Sequence, residues 1–296
     1  MRKLPTEKRA MILTCLVEGN SIAATCRMTG ASKVTVLRLL ADAGTLAADL
    51  HDLMVRDLDV ERVQVDELWS FVGAKQKQVD RGAKAEGSVW TWTALDADTK
   101  LMIAYLVGQR DGGYAYEFCL DIADRVEGRF QITSDGHHAY LDAMASVFGT
   151  DIDYAMLVKV YGATQPDHAR YSPAECTGCR KQTISGNPDN AHISTSHVER
   201  QNLTVRMQNR RFTRLTNAFS KSLDNHVHSI ALHYFHYNFC RKHQSIKTTP
   251  AVAAGVADHR WTMLEFVELL EREEKIRGGR ITDYKPAASV KAKKGL

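Results

Sequence analysis

Three acids stand out by context rather than by identity: Asp66, Asp135 and Glu199. Asp66 lies inside an apolar run, Val63-Gln64-Val65-Asp66-Glu67-Leu68-Trp69. An ionised acid in a core strand is expensive unless it is paired or binds a metal. Asp135 follows the short run Phe130 to Ser134 and precedes Gly136. In open α/β sheets, sites gather at strand ends. Glu199 stands between His197 and Arg200, and helical spacing brings Asn202, Arg206 and Arg210 toward its face. One acid is then set among several groups suited to phosphate. Three acids drawn from separate elements can hold two divalent ions about 4 Å apart, which stabilise the attacking and leaving oxygens of a phosphodiester. Magnesium, which prefers a few carboxylates plus water and phosphate oxygens, suits such a set, and manganese is its alternative. Each acid also has a plain reading. Asp135-Gly136 can be only a turn, and Glu199 only a helical ion-pair partner. Spacing does not show that the three meet.

The elements that must position these acids follow from periodicity. Val63 to Val72, Val89 to Asp96 and Leu101 to Val107 read as three strands, the first two separated by the polar, Gly-rich segment 73–87. A helix over 114–126, a short buried strand over Phe130 to Thr133, a helix over 137–148 and a strand over Ile152 to Val160 follow. Three strands, helix, strand, helix, strand is a mixed α/β order. Residues 161–193 are rich in Gly, Pro, Asn and Ser and read as a long inserted loop, which in a compact domain is usually functional or mobile. Helices are expected over 195–212, over Leu223 to Phe239 and over Trp261 to Ile276.

Ahead of this block, residues 5–44 read as three short helices. Gly19-Asn20 and Gly30 break them, and Ser21 and Ser32 stand at cap positions. Two short helices around a Gly turn form the helix-turn-helix pattern, whose second helix enters the major groove. That helix offers Ser32, Lys33, Thr35 and Arg38 as polar residues, while Val34, Val36, Leu37 and Leu40 can pack inward. A plain three-helix bundle is the competing reading. The expected domains are 1–44 for the helix-turn-helix, 45–60 for a helical linker, 61–257 for the catalytic block, and 258–296 for a last helix and basic tail.

The chain has 296 residues, 44% hydrophobic and 25% charged, with a net charge of +4. The mild excess favours an anionic partner, and its distribution says more. Arg200, Arg206, Arg210, Arg211 and Arg214 crowd one segment, Arg241, Lys242, His243 and Lys247 another, and Lys291, Lys293 and Lys294 end the chain. Each cluster can also be a solvated face. No run approaches the ~18 apolar residues of a membrane span. The charged start does not read as a secretion signal. Scattered cysteines fit a reducing compartment, so the expected location is the cytoplasm.

Asp66 in VDELW, Asp135 in SDGHHAY and Glu199 in HVERQN resemble the three acids of DDE transposases from bacterial insertion sequences. The block ISTSHVERQNLTVRMQNRRFTRLTNAFSKSLDNH, followed by YNFCRKHQSIKTTPA, is similar to the insertion-sequence-one group. The resemblance covers roughly residues 60 to 257. It implies a ribonuclease-H-like mixed sheet flanked by helices, the first Asp on the first strand, the second after the fourth, and the Glu on a following helix. It implies metal-dependent cleavage of double-stranded DNA at element ends, then attack of the freed 3′ hydroxyl on target DNA. Joining two ends further implies a homo-oligomer. Asp66, Asp135 and Glu199 would be both catalytic residues and metal ligands. DNA contacts are expected from Ser32, Lys33, Thr35 and Arg38 in the helix-turn-helix, and from Arg200, Asn202, Arg206, Arg210, Arg211 and Arg241. Members of the group often carry an N-terminal zinc module, and this chain has only Cys15 and Cys26 there.

Two other functions fit the same residues: a metal-dependent nuclease that cuts without joining, and a non-catalytic helix-turn-helix regulator. The buried setting of Asp66 speaks against the regulator. Cys176-x2-Cys179-x12-His192-x4-His197 has the spacing of a zinc finger. It lacks the apolar residues such a finger needs, so two free thiols in a loop are the favoured reading. His137 and His138 can serve a proton transfer or simply begin a helix.

Overall fold

The computed structural model describes residues 4–162, 176–213 and 216–282. In chain order its elements are α1 (Thr6–Val17), α2 (Ile22–Thr29), α3 (Lys33–Met54), β1 (Leu58–Asp59), β2 (Arg62–Val72), α4 (Gln76–Val79), β3 (Gly87–Asp96), β4 (Met102–Gly108), α5 (Gly112–Ala123), β5 (Val126–Glu127), β6 (Gln131–Ser134), α6 (Ala139–Phe148), β7 (Asp153–Tyr161), β8 (Cys176–Ser185), α7 (Ser196–Gln208), α8 (Leu223–Phe235), α9 (Pro250–Ala253) and α10 (Met263–Ile276). They form a mixed α/β fold. None of these helices is long and apolar enough to cross a membrane.

The chain divides into two compact units. One comprises residues 56–68 and 90–201. The six-stranded sheet has the order β4-β3-β2-β6-β7-β8. β3 and β4 are antiparallel, β2 with β6 and β6 with β7 are parallel, and β8 returns antiparallel to β7. Parallel neighbours need a crossover, and α6 supplies it between β6 and β7. α5 and α6 pack on each other, and Phe118, Cys119, Ile122, Tyr140 and Met144 bury their shared apolar face. Ala155, Leu157 and Ile193 form a further buried cluster. Arg129 ties the start of β7 by pairing with Asp153 at 2.6 Å.

The other unit comprises residues 1–55, 69–89 and 202–296. Ser21 and Ser32 cap α2 and α3, each accepting from the backbone N–H three residues on, at 3.1 Å. Gly30, at φ +66°, ends α2 in the left-handed conformation that glycine adopts without strain. α3 packs along α8, and α1 packs against α10. Gly44 makes the first contact possible: a Cβ there would lie 2.5 Å from the His228 Cβ and 2.6 Å from its Cα. Arg9, 5% exposed, pairs with Glu271 at 2.9 Å and Glu274 at 2.5 Å on α10. Arg280 pairs with Asp42 of α3. Thr262 and Glu265 form a capping box at the start of α10.

Two expectations for the elements change. The third of the helices read over 5–44 and the first part of the helical linker form one unbroken helix, which runs to Met54. Its residues 45–54 include Leu46, Ala47, Ala48, Leu50, Leu53 and Met54, good helix formers, with no Gly or Pro, and Leu46, Ala47 and His51 are buried. Within 161–193, read as loop, lies the strand β8, paired with β7 from Tyr154↔Ser185 to Tyr161↔Cys176. β8 is exposed along most of its length. It therefore lacks the apolar alternation by which a strand is read from sequence. Arg214 and the basic tail Lys291, Lys293 and Lys294 lie outside the described residues.

Candidate metal centre

Asp66 lies within β2 and Asp135 directly after the adjacent parallel strand β6, and the pairing of the two strands brings them together. β2 and β6 are in register at Gln64↔Thr133, so two residues further along each strand stand Asp66 and Asp135. Both acids are half-buried. The Asp135 Oδ1 accepts the backbone N–H of His137 at 2.8 Å, which holds the carboxylate over the turn after β6. The Asp66 Oδ1 accepts the N–H of Glu67 at 2.8 Å, and the Asp66 carbonyl accepts the Thr93 hydroxyl of β3 at 2.9 Å.

A third acid joins them, and it is Glu67. Carboxylate oxygens of Asp66, Glu67 and Asp135 all lie within 4.8 Å of one another. Successive side chains of a strand point to opposite faces. Gln64 faces α7, where its Oε1 accepts the N–H groups of His197 and Val198 at 2.8 and 3.1 Å. Asp66 shares that parity, and Glu67 has the other. The Glu67 side chain is 1% exposed and pairs with Arg110, which follows β4, at 2.9 Å. The same Arg110 nitrogen is 3.9 Å from the Asp135 Oδ2. Trp90 of β3 lies under the guanidinium, 4.8 Å from its carbon.

Burial pushes the Glu67 carboxyl up to about 7, and the charges of Asp135 and Asp66 add to this. Tyr140 and Arg110 pull it down. The Tyr140 hydroxyl is fully buried, with the Glu67 carboxyl as its hydrogen-bonding neighbour. Its own pKa is raised by burial and by Glu67. His137 stands beside Trp92 and Tyr140, with ring centroids 5.9 and 6.0 Å away. Burial, then Arg110, lowers its pKa and favours the neutral ring.

Glu199 is placed elsewhere in its surroundings. It lies in the first turn of α7, where its Oε1 accepts the Thr195 hydroxyl at 2.5 Å and pairs with Lys159 of β7 at 2.5 Å. It is outside the group of oxygens within 4.8 Å that Asp66, Glu67 and Asp135 form. Glu67 and Arg110 were not singled out from sequence. The available signal was parity: Glu67 shares the strand face of buried Val63 and Val65, where an acid needs a partner.

The residues expected to meet DNA divide by environment. Ser32 and Thr35 bond to each other at the α3 cap. Lys33 and Arg200 are exposed, and Arg38, Arg206, Arg210 and Arg211 half-buried. Asn202 is 4% exposed. Arg211 donates to the Ser220 hydroxyl at 3.1 Å, and Arg241 donates to the Gln208 amide oxygen at 2.6 Å. Cys176 and Cys179 are exposed free thiols on β8, and His192 bonds instead to Arg62. Among the described residues these cysteines and histidines do not gather into a metal-binding group.

A hard divalent cation fits the chemistry of the acidic group, which offers only carboxylate oxygens. Asp66 and Asp135 are the accessible donors. Glu67 is buried and already compensated by Arg110.

No family model matches the chain, and no curated protein matches it. Among solved structures, the cryo-EM structure of a piggyBac transposase synaptic complex with hairpin DNA aligns over 98% of this chain and 75% of that one. The identity is 12% and the TM-score 0.38.

Proposed function

We propose that this chain is a metal-dependent DNA transposase of the DDE type. The observation that carries the reading is the meeting of Asp66, within β2, and Asp135, directly after the adjacent parallel strand β6, in motifs that resemble those of insertion-sequence transposases. The sheet supports a ribonuclease-H-like core, with β4, β3 and β2 followed in space by β6 and β7. The capped α2–Gly30–α3 segment supports a helix-turn-helix that reads element ends.

In this reading Asp66 and Asp135 hold the metal and Glu199 is the third acid. Bound divalent ions, magnesium or manganese and two in number, supply charge stabilisation at the attacking and leaving oxygens. The chain's own residues do the positioning. The His137 N–H and the strand pairing fix the two aspartates. Arg110 balances the negative charge of Glu67 and Asp135. Thr195 and Lys159 hold the Glu199 carboxylate in the first turn of α7. Lys33, Arg200, Arg210 and Arg211 contribute phosphate contacts. Two DNA ends must be joined, so the working form is a homo-oligomer on double-stranded DNA.

The test is a cleavage and joining assay in magnesium or manganese, on DNA carrying the flanking ends of the gene's own element. The expected result is nicked and joined products that disappear with EDTA and in Asp66→Asn, Asp135→Asn and Glu199→Gln, while end binding persists. Nicking without joining would make the chain a nuclease. Binding without chemistry in any metal would make it a regulator.

A further inference from the structure

The unit formed by residues 1–55, 69–89 and 202–296 contains a cleft whose lining includes none of the three acids. Its volume is about 810 Å³. α2 and the first half of α3 form one wall, and residues from Asn209 to Arg211 and from Thr216 to Ser229 form the other. Leu16, Ile22, Leu37 and Phe219 give it an apolar floor. Arg27, Lys33, Arg210, Arg211 and Lys221 line it with positive charge, and no Asp or Glu is among its lining residues.

These cations differ from a set of ion-paired arginines elsewhere in the chain. Arg9, Arg62, Arg110, Arg125, Arg129, Arg277 and Arg280 are each held by a carboxylate. Around the cleft, Arg211 is tied to Ser220, while Arg27, Lys33, Arg210 and Lys221 meet no carboxylate among the described residues. The Lys221 ammonium lies 3.1 Å from the centroid of the Phe219 ring. Phe219 in turn packs on Phe71, with ring centroids 4.6 Å apart. Asn217 is exposed at the same wall, with a side-chain amide suited to a base edge.

We infer that this cleft binds unpaired nucleotides of a DNA strand, with the bases over the apolar floor, one of them taking the place of the Lys221 ammonium on the face of Phe219, and the phosphates on the cationic rim. Single-strand sites combine these parts: a basic groove that tracks the backbone and an aromatic face on which bases stack. The volume falls in the range of small-ligand sites, about 300–1,000 Å³, and so suits a few nucleotides rather than a duplex. A duplex phosphate track needs cations on a surface and has no use for an apolar floor. The inference rests on the proposed function only in naming DNA. The binding is expected without divalent metal, so it can fail or succeed independently of cleavage.

The experiment is fluorescence anisotropy on the full chain in EDTA, with a labelled single-stranded oligonucleotide of mixed sequence and its duplex. The variants are Lys33→Gln/Lys221→Gln and Phe219→Leu, with circular dichroism to check folding. The double variant is expected to bind the single strand about tenfold more weakly. Its log–log salt slope should be shallower by about 1.4, since each lost phosphate contact on a single strand counts about 0.7. Phe219→Leu is expected to weaken single-strand binding by about tenfold, the order of one base–aromatic stack. The same variant should leave duplex binding within twofold, and an oligonucleotide with abasic sites should lose the effect. Equal losses on single strand and duplex in Phe219→Leu would overturn the base-binding site, whereas the double variant is expected to weaken duplex binding too, since Lys33 also meets duplex phosphate in the proposed function. Wild-type affinity in both folded variants would overturn the cleft as a site altogether.

Discussion

Replacing Glu67 by Gln tests the electrostatics of the acidic group directly. The carboxyl is pushed from its ordinary 4.5 to about 7, chiefly by burial. The folded chain therefore holds this proton more tightly than the unfolded chain does. Through this group, stability is greatest below about pH 4.5, declines as the pH rises, and levels off above about 7. At about 1.4 kcal/mol per pKa unit, the decline amounts to about 3 kcal/mol. Glutamine keeps the shape and has no proton to lose, so its variant escapes that decline. The assay is urea unfolding of both proteins in EDTA, followed by tryptophan fluorescence, at pH 4.5 and pH 8. Comparing the variant with the wild type at each pH removes every titration they share. Loss of the Arg110 ion pair can make the variant less stable overall. Its stability relative to wild type should nevertheless improve by about 3 kcal/mol between pH 4.5 and pH 8. No improvement, or a change of the opposite sign, would refute the reasoning. It would mean that Arg110 holds Glu67 ionised throughout and that Glu67 is a third anionic donor beside Asp66 and Asp135.

Other perturbations follow from the same geometry. Arg110→Gln removes a charge that lowers the Glu67 pKa and one that lies beside Asp135. Its cleavage activity is expected to fall and its pH profile to move, a readout that simple loss of packing would leave unmoved. Gly44→Ala would place a methyl 2.5 Å from the His228 Cβ and 2.6 Å from backbone atoms. Overpacking of this kind costs about 1–3 kcal/mol, against about 1 kcal/mol gained in helix propensity. A net loss in thermal or urea unfolding is expected, and a stabilised variant would show that α3 and α8 are less closely packed. Arg9→Met leaves Glu271 and Glu274 without their shared, buried partner. Removing one side of such a network costs about 3–5 kcal/mol, measurable as a lowered urea midpoint.

Much of the architecture was legible because it depends on local periodicity. β2, β3, β4, β6 and β7 fall close to where apolar runs predicted strands, and α5, α6, α8 and α10 where helical spacing predicted helices. The caps at Ser21 and Ser32 were also readable, since a cap needs only a side-chain oxygen and the N–H three residues away. Asp66 and Asp135 stood out for a similarly local reason, an acid within or directly after an apolar run. What the sequence withheld was long-range. That Asp66 and Asp135 meet depends on β2 pairing with β6 across more than 60 residues of chain, in a register that no local pattern encodes. Glu67 joins them because strand parity turns it inward, and Arg110 reaches it from beyond β4. The placement of Glu199 against Lys159 joins α7 to β7, and the basic cleft joins α2 and α3 to a segment nearly two hundred residues on. Composition and spacing name the side chains capable of chemistry. Burial and electrostatic coupling arise only when the folded chain brings distant residues together, and only then is it set which of those side chains carry charge and which they face.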